Sequence, residues 1–304
     1  MWVRDHPVRR VVAGRGTGPA SIRPVPAHPA RIARSRAYRL YTRFPPALRA
    51  RLEADGATGV PLALVQRLVD RGPVEVAAGA ARGVLLDPRA FPLTHVQAHG
   101  AVRGTLEPEV QEALRRTVAP GDVVYDIGAN VGFFTLLAAR LTGPDGHVVA
   151  FEPSPPAVAG LRANVALNGL AVTVREAAVA ATPGRARLLQ VGEHSWSHLE
   201  DRGHHPGTTA VVEVEVTTVD AEVAAGRPVP AVVKLDVEGS EVAALQGMAR
   251  TLAEHRPALV IELHGTNHEV LDVLDDAGYR AENLEGPQPL RDAGPVHLLA
   301  RPAR

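Results

Sequence analysis

Cysteine is absent from all 304 residues, which removes disulfides, thiolate nucleophiles and cysteine-ligated zinc together. Net charge is absent too: 33 basic and 33 acidic residues cancel, so the overall balance favours neither nucleic acid nor an anionic membrane as main partner. No uninterrupted apolar run approaches the roughly 18–20 residues that span a bilayer. The opening Met1-Trp2-Val3-Arg4-Asp5 lacks the apolar core of a signal peptide, so the expectation is a cytoplasmic chain with no membrane span. Lysine is nearly missing: 32 of the 33 basic residues are Arg, and Lys234 alone is Lys. The abundance of Ala, Gly, Pro and Val points to a GC-rich coding background, against which one surviving lysine marks its surroundings. What is present is ordinary for a globular protein, with 45% hydrophobic residues.

Residues 1–52 carry twelve Arg against one acid, Asp5, with prolines at 7, 19, 24, 26, 29, 45 and 46. They are expected to be disordered, because little apolar surface offsets the entropy of ordering. A basic arm for an anionic partner is the alternative to a solvated tail. Residues 53–105 read as a small cap, with a helical segment at 61–69 and short strands at 74–76 and 83–86. The main domain is placed at 106–304 and opens with an amphipathic helix from Glu107 to Val118, ending at Pro120-Gly121.

From there strands and helices alternate. Strand 123–127 leads to helix 131–141, and strand 147–151 leads to a helix from Pro155 to Leu167, closed by Asn168-Gly169. A third strand is expected near 172–179. The stretch 185–217 breaks the pattern with β-like runs at 186–191 and 210–216 around a polar loop holding His194, Trp196, His198, His204 and His205. We read it as an insertion, its histidines as solvated and Trp196 as a substrate contact or lid anchor. Strand 231–235 then feeds helix 240–253, strand 258–263 feeds helix 268–277, and β-like residues close the chain near 279–284 and 295–300. Such alternation builds a doubly wound α/β sheet that binds ligands at the carboxyl ends of its strands.

The most informative stretch is Val123-Val124-Tyr125-Asp126-Ile127-Gly128-Ala129-Asn130-Val131-Gly132, a buried strand running into a glycine turn that opens a helix. Gly128 and Gly132 let the backbone approach a ligand and expose amide groups at a helix start. Glu152, at the tip of the next strand, is placed to accept bonds from both ribose hydroxyls of a nucleotide. A dinucleotide and S-adenosyl-L-methionine both suit such a site. Asn130 occupies the position where a dinucleotide fingerprint needs its middle glycine to admit pyrophosphate. Asp126 would repel a pyrophosphate but attract an ammonium. Pro230, four residues before Lys234, excludes the Tyr-x-x-x-Lys pair of a short-chain dehydrogenase. The residues favour S-adenosyl-L-methionine over an oxidoreductase cofactor.

A second constellation, Val232-Val233-Lys234-Leu235-Asp236-Val237-Glu238-Gly239-Ser240-Glu241, gathers charge at the end of a central strand. Alternation points Lys234 and Asp236 to one face. Ser240 or Glu238 is expected to cap the following helix, and Glu241 also reads as structural. Burying Lys234 and Asp236 near a strand centre is costly without a purpose. Glu262 and His264, at the end of the next strand, should lie beside them. Asp236, Glu238, Glu262 and His264 form an acid/base cluster; a divalent cation on Asp236, Glu238 and Glu262 is an option that we do not predict.

With these residues in view, the chain resembles the FkbM family of S-adenosylmethionine-dependent methyltransferases. The resemblance runs from about His99 to the C-terminus through GDVVYDIGANVGFFTLLAARL, GHVVAFEPSP, LRANVALNGL, VVKLDVEGSEVAALQGM and PALVIELH. The first two blocks are shared by many class I methyltransferases, whereas K-x-D-V-E-G-x-E with its ALQGM-like helix is characteristic of this family. The resemblance implies a Rossmann-like class I fold: a seven-stranded mixed sheet of order 3-2-1-4-5-7-6, strand 7 antiparallel, with helices on both faces. It implies methyl transfer to a hydroxyl of a small molecule, either a sugar, a lipid or a secondary metabolite, with no nucleic acid partner. Asp236 or His264 would be the base, with Lys234 and Glu238 orienting the hydroxyl or the methionine end. The cofactor set would be Asp126, Gly128, Asn130, Gly132, Glu152, Pro153 and Glu107. An amino-group methyltransferase of nucleic acid typically needs a D/N-P-P-Y turn where this chain has Asp236-Val237-Glu238-Gly239. A non-catalytic module would lose the polar groups at strands four and five.

Overall fold

In the computed structural model of the protein, residues 72–90, 95–191, 197–199 and 208–303 are described. The Arg/Pro-rich stretch 1–52, the helix expected at 61–69, and His194, Trp196, His204 and His205 lie outside them. The described chain starts with two short antiparallel strands, β1 (Val74–Glu75) and β2 (Leu85–Leu86). Helices α1 (His95–Arg103) and α2 (Pro108–Thr117) follow. Pro108 sits in the first turn of α2, where a missing N–H leaves no bond unmade, and the apolar stripe buries Val110 and Leu114.

The alternating region appears where its pattern puts it: β3 (Val123–Ile127), α3 (Phe133–Thr142), β4 (His147–Phe151), α4 (Pro155–Asn168) and β5 (Val172–Arg175). Gly169 closes α4 in the left-handed region at φ 61°. Next come β6 (Ala178–Val179), β7 (Gly184–Val191), β8 (Ser197–Leu199), β9 (Thr208–Thr217) and α5 (Val219–Ala224). The chain ends with β10 (Val232–Leu235), α6 (Glu241–Gln246), α7 (Ala249–Glu254), β11 (Ala258–Leu263), α8 (Asn267–Asp276), β12 (Tyr279–Asn283) and β13 (Val296–Pro302).

Seven strands form one sheet in the order β12-β13-β11-β10-β3-β4-β5. Counted along the chain this is the expected 3-2-1-4-5-7-6 read from the other edge. The pairs β10–β11, β10–β3, β3–β4 and β4–β5 are parallel, whereas β13 runs antiparallel to both β11 and β12. Alternation splits each strand between two apolar layers. Tyr125, Ile127, Val233 and Leu235 pack with Leu245, Leu252, Val270 and Leu274 of α6–α8. Val124, Val148, Val232 and Val260 pack with Leu114 of α2, Leu136 and Leu137 of α3, Leu86 of β2 and Val84 just before it. Helices therefore cover both faces, as a largely parallel sheet requires. Among the described residues no helix is long and apolar enough to cross a membrane.

Three expectations need correction. The third strand does not run to 179: after Arg175 the chain turns, the Ala177 N–H donating to the Arg175 carbonyl at 2.9 Å, and β6 joins a second, four-stranded sheet of order β6-β9-β7-β8. Helix 240–253 is broken in two. Gly247, a poor helix former, lies so close to Ala180 that an added Cβ would stand 2.0 Å from its carbonyl oxygen, and its own carbonyl accepts from Asp220 N–H at 3.1 Å. The Asp220 carboxylate then caps α7 by accepting from the Arg250 and Thr251 amides at 2.9 and 2.8 Å. Ser240 stands at the N-cap of α6 but makes no capping bond.

Candidate functional site

A cleft of about 470 Å³ opens at the carboxyl ends of β3, β10 and β11. It is lined by residues 128–134, by Lys234 of β10 with Asp236 and Glu238 beyond it, by Glu262 and His264 at the end of β11, and by Leu106, Glu107 and Pro295. The backbone is strained here. Of the four described non-glycine residues at positive φ, three line this cleft: Glu107 (40°), Asn130 (49°) and Glu238 (49°). Such conformations cost roughly 1–3 kcal/mol each and persist only where the surroundings enforce them.

The two glycines of the turn have separate tasks. Gly128, at φ 81°, lies against the loop after β10, and a Cβ there would stand 1.7 Å from the Asp236 carbonyl oxygen. Its missing side chain thus admits a neighbouring strand end as well as the open cleft. Gly132, at φ 93°, caps the start of α3. Between them the Asn130 N–H donates to Glu152 Oε2 at 2.8 Å, while Glu152 Oε1 accepts from the Ser154 N–H at 2.8 Å. Glu152 therefore fixes the turn from behind. Burial raises its pKa to about 7 against the two amides, which favour the ionised form. Pro153 beside it is half-buried. Neither Glu152 nor Asp126 lines the cleft itself.

Lys234 is buried, with Nζ 3.1 Å from Asp236 Oδ2 and 3.8 Å from Asp126 Oδ1, and it stands 5.1 Å over the ring of Phe134. Burial disfavours its charge, but Asp236 and Asp126 outweigh burial and hold its pKa above the usual lysine range. Asp126 accepts from the Thr135 hydroxyl; burial raises its pKa despite Lys234, and Oδ1 has no hydrogen-bond partner.

The other end of the cleft is a chain of carboxylates and imidazoles. His264 Nδ1 bonds the fully buried Glu241 Oε1 at 2.9 Å, and Glu241 also accepts from the Thr266 hydroxyl and the Gly239 amide at 2.7 Å each. His264 Nε2 lies 3.4 Å from both Glu238 Oε2 and Glu262 Oε1. On the far side of Glu262, His297 Nε2 stands 3.4 Å from Oε2, and its Nδ1 bonds Glu285 Oε1 at 2.8 Å. Burial works against both imidazolium forms, but the acids prevail: Glu241 and Glu262 lift His264 to about 11, and Glu107 and Glu262 lift His297 to about 10. Burial, then the Asp236 charge, raises Glu238 to about 7.

The structure thus brings Lys234, Asp236, Glu238, Glu262 and His264 together as the sequence implies. Glu107, Gly128, Asn130 and Gly132 share the same cleft. For a cation the grouping differs from the sequence option: ligand atoms of Asp236, Glu262 and His264 lie within 4.8 Å of one another, and among the described residues Glu238 joins no such group. Sequence reasoning missed His297, Glu285 and Thr135. His297 pairs in register with Glu262 across the antiparallel β11–β13 ladder. An antiparallel last strand brings its first residues to the carboxyl end of β11, and that was the available signal.

The match of this chain to known proteins agrees with that arrangement. Residues 126–281 match the Methyltransferase FkbM domain. The chain is 33% identical over 212 residues to the 31-O-demethyl-FK506 methyltransferase FkbM of Streptomyces tacrolimicus, covering 60% of this chain and 80% of that enzyme. A 51-residue segment, 17% of this chain and 13% of its relative, is 45% identical to an arsenite methyltransferase of Halobacterium salinarum. A solved FkbM methyltransferase from Methylobacillus flagellatus KT is 17% identical with a TM-score of 0.41, over 70% of this chain and 57% of that one. By the span of the domain match, over half its length, the chain belongs to the FkbM methyltransferase family.

Proposed function

We propose that the protein transfers a methyl group from S-adenosyl-L-methionine to a hydroxyl oxygen of a small molecule, a sugar, a lipid or a secondary metabolite. The observation that carries this is the shared cleft: a nucleotide-type glycine turn at one end and a carboxylate–imidazole cluster at the other. The name of the Streptomyces tacrolimicus relative, a 31-O-demethyl-FK506 methyltransferase, supports an oxygen acceptor.

The residues fit the donor. Asn130 Oδ1 and Asp126 Oδ1 are buried acceptors without hydrogen-bond partners, Asp126 Oδ1 meeting only the Lys234 ammonium at 3.8 Å, and such atoms call for a donor. In this reading Glu152 receives the ribose hydroxyls on its remaining lone pairs, Pro153 lies beside the base, and Asp126 and Asn130 hold the amino-acid end. Gly128 and Gly132 shape the turn. When bound, S-adenosyl-L-methionine supplies an electrophilic methyl group on a sulfonium that leaves as a neutral thioether.

The chain's own residues supply position and proton transfer. Asp236 accepts the proton of the acceptor hydroxyl as the oxygen–carbon bond forms. Lys234 fixes that carboxylate at 3.1 Å. His264, anchored through Nδ1 on Glu241, presents Nε2 as an N–H donor to the acceptor, because the surrounding acids keep the ring protonated. Glu238, beside it, orients the same hydroxyl. Positioning of this kind contributes roughly 7–11 kcal/mol and a general base about 10²–10⁴-fold. Asp236→Asn keeps the shape and removes the base, so kcat on a true acceptor should fall about 10²–10⁴-fold with S-adenosyl-L-methionine binding little changed. Near-wild-type kcat in that variant would remove Asp236 from the role.

A further inference from the structure

We propose that Glu107, Glu262 and His297 form a binding site for one divalent first-row metal ion, of the Mn²⁺ type, beside the acceptor end of the cleft. Three distant segments converge there: the left-handed residue preceding α2, the end of β11 and the start of β13.

The distances have room for a shared ion. His297 Nε2 is 3.5 Å from Glu107 Oε2 and 3.4 Å from Glu262 Oε2. Charge-assisted hydrogen bonds close to about 2.7–2.9 Å. Two ligands on one ion, each about 2.1 Å from it and separated by 90–110°, stand about 3.0–3.4 Å apart. The three ligand atoms lie within 4.8 Å of one another.

Two of these atoms make no hydrogen bond and meet only as an ion pair at 3.5 Å. His297 is 8% exposed, yet Nε2 has no hydrogen-bond partner, and neither does the buried Glu107 Oε2. Unpaired buried polar groups are rare and call for an explanation. Glu107 does not use its side chain to cap its own helix.

The surroundings supply the outer support that metal-binding histidines need. Glu285 Oε1 accepts from His297 Nδ1 at 2.8 Å and from the His297 backbone N–H at 3.1 Å. With its Nδ1 proton held by Glu285, His297 presents Nε2 to the two carboxylate oxygens, and a cation there would take the place of the Nε2 proton. Charge points the same way, since Glu107, Asp236, Glu238 and Glu262 line a cleft containing the chain's one lysine.

One imidazole with two carboxylates suits Mn²⁺ to Zn²⁺ better than Mg²⁺ or Ca²⁺, which favour oxygen alone. Both carboxylates also face the cleft, so open coordination positions point to where an acceptor oxygen would sit. That use of the ion rests on the O-methyl reading; the site itself does not.

The test is Mn²⁺ binding to the full chain after chelator treatment, followed by electron paramagnetic resonance without donor or acceptor. One equivalent should bind, with ¹⁴N coupling from a single imidazole in the wild type. Glu107→Gln and His297→Gln should each weaken binding at least tenfold, and Glu285→Gln by about 10–100-fold, with circular dichroism unchanged. The ¹⁴N measurement needs no variant, so a misfolded substitution does not decide the matter. The proposal is overturned if no stoichiometric Mn²⁺ binds, if bound Mn²⁺ shows no imidazole coupling, or if folded His297→Gln binds as tightly as wild type. Failure of methyl transfer with intact Mn²⁺ binding would count against the O-methyl reading alone.

Discussion

Glu152 spends one lone pair of each carboxylate oxygen on a backbone amide, Asn130 and Ser154, and keeps the others. Burial lifts its pKa from 4.5 to about 7, so the folded state holds this proton more tightly than the unfolded one. Its contribution to stability is therefore complete below the unfolded value of 4.5 and is lost as pH rises through about 7. Ligand binding has the opposite sign, because ribose hydroxyls donate to the ionised form. Affinity for S-adenosyl-L-methionine should rise between about pH 6 and about pH 8, with proton release seen by calorimetry in buffers of different ionisation heat. Glu152→Gln should abolish the release. An affinity flat across that range in the wild type would mean that the Glu152 charge plays no part in binding.

At the scale of elements, the turn after β3 and the loop after β10 are built against each other. Gly128 lets the Asp236 carbonyl approach to where a Cβ would be, in a left-handed backbone that an L side chain disfavours. Gly128→Ala should lower stability by roughly 1–3 kcal/mol from the backbone alone, read as a fall in the urea midpoint, with cofactor affinity lost as the two loops part. An unchanged midpoint would show the loops to be independent. Elements of this kind were largely legible in the sequence. β3, β4 and β11 fall on their predicted residues because parallel, doubly covered strands are continuous apolar runs with sharp ends. The break between α6 and α7 was hidden because its cause is tertiary: Ala180 and Asp220 press on Gly247, and an amphipathic pattern runs through such a break undisturbed. The division of 172–179 between two sheets was hidden for the same reason.

Over the whole molecule, one end of the seven-stranded sheet concentrates what a neutral overall composition conceals. Glu107 before α2, Asp126 of β3, Asp236 after β10 and Glu262 of β11 converge around Lys234, so the site's electrostatics come from topology rather than net charge. The half built from strand tips was legible, since parallel neighbours put Asp236 beside Glu262 and His264. The half contributed by His297 and Glu285 required the register of the antiparallel strand, which no local pattern encodes. A glycine turn is shared by many nucleotide proteins, so the proposed methyl transfer stands or falls first on donor binding. Titration of the full chain with S-adenosyl-L-methionine by calorimetry tests it most directly. Saturable one-site binding is expected, weakened at least tenfold by Glu152→Ala, about 1.4 kcal/mol or more. Tight binding of NAD with none of S-adenosyl-L-methionine, or equal affinity in the variant, would contradict it.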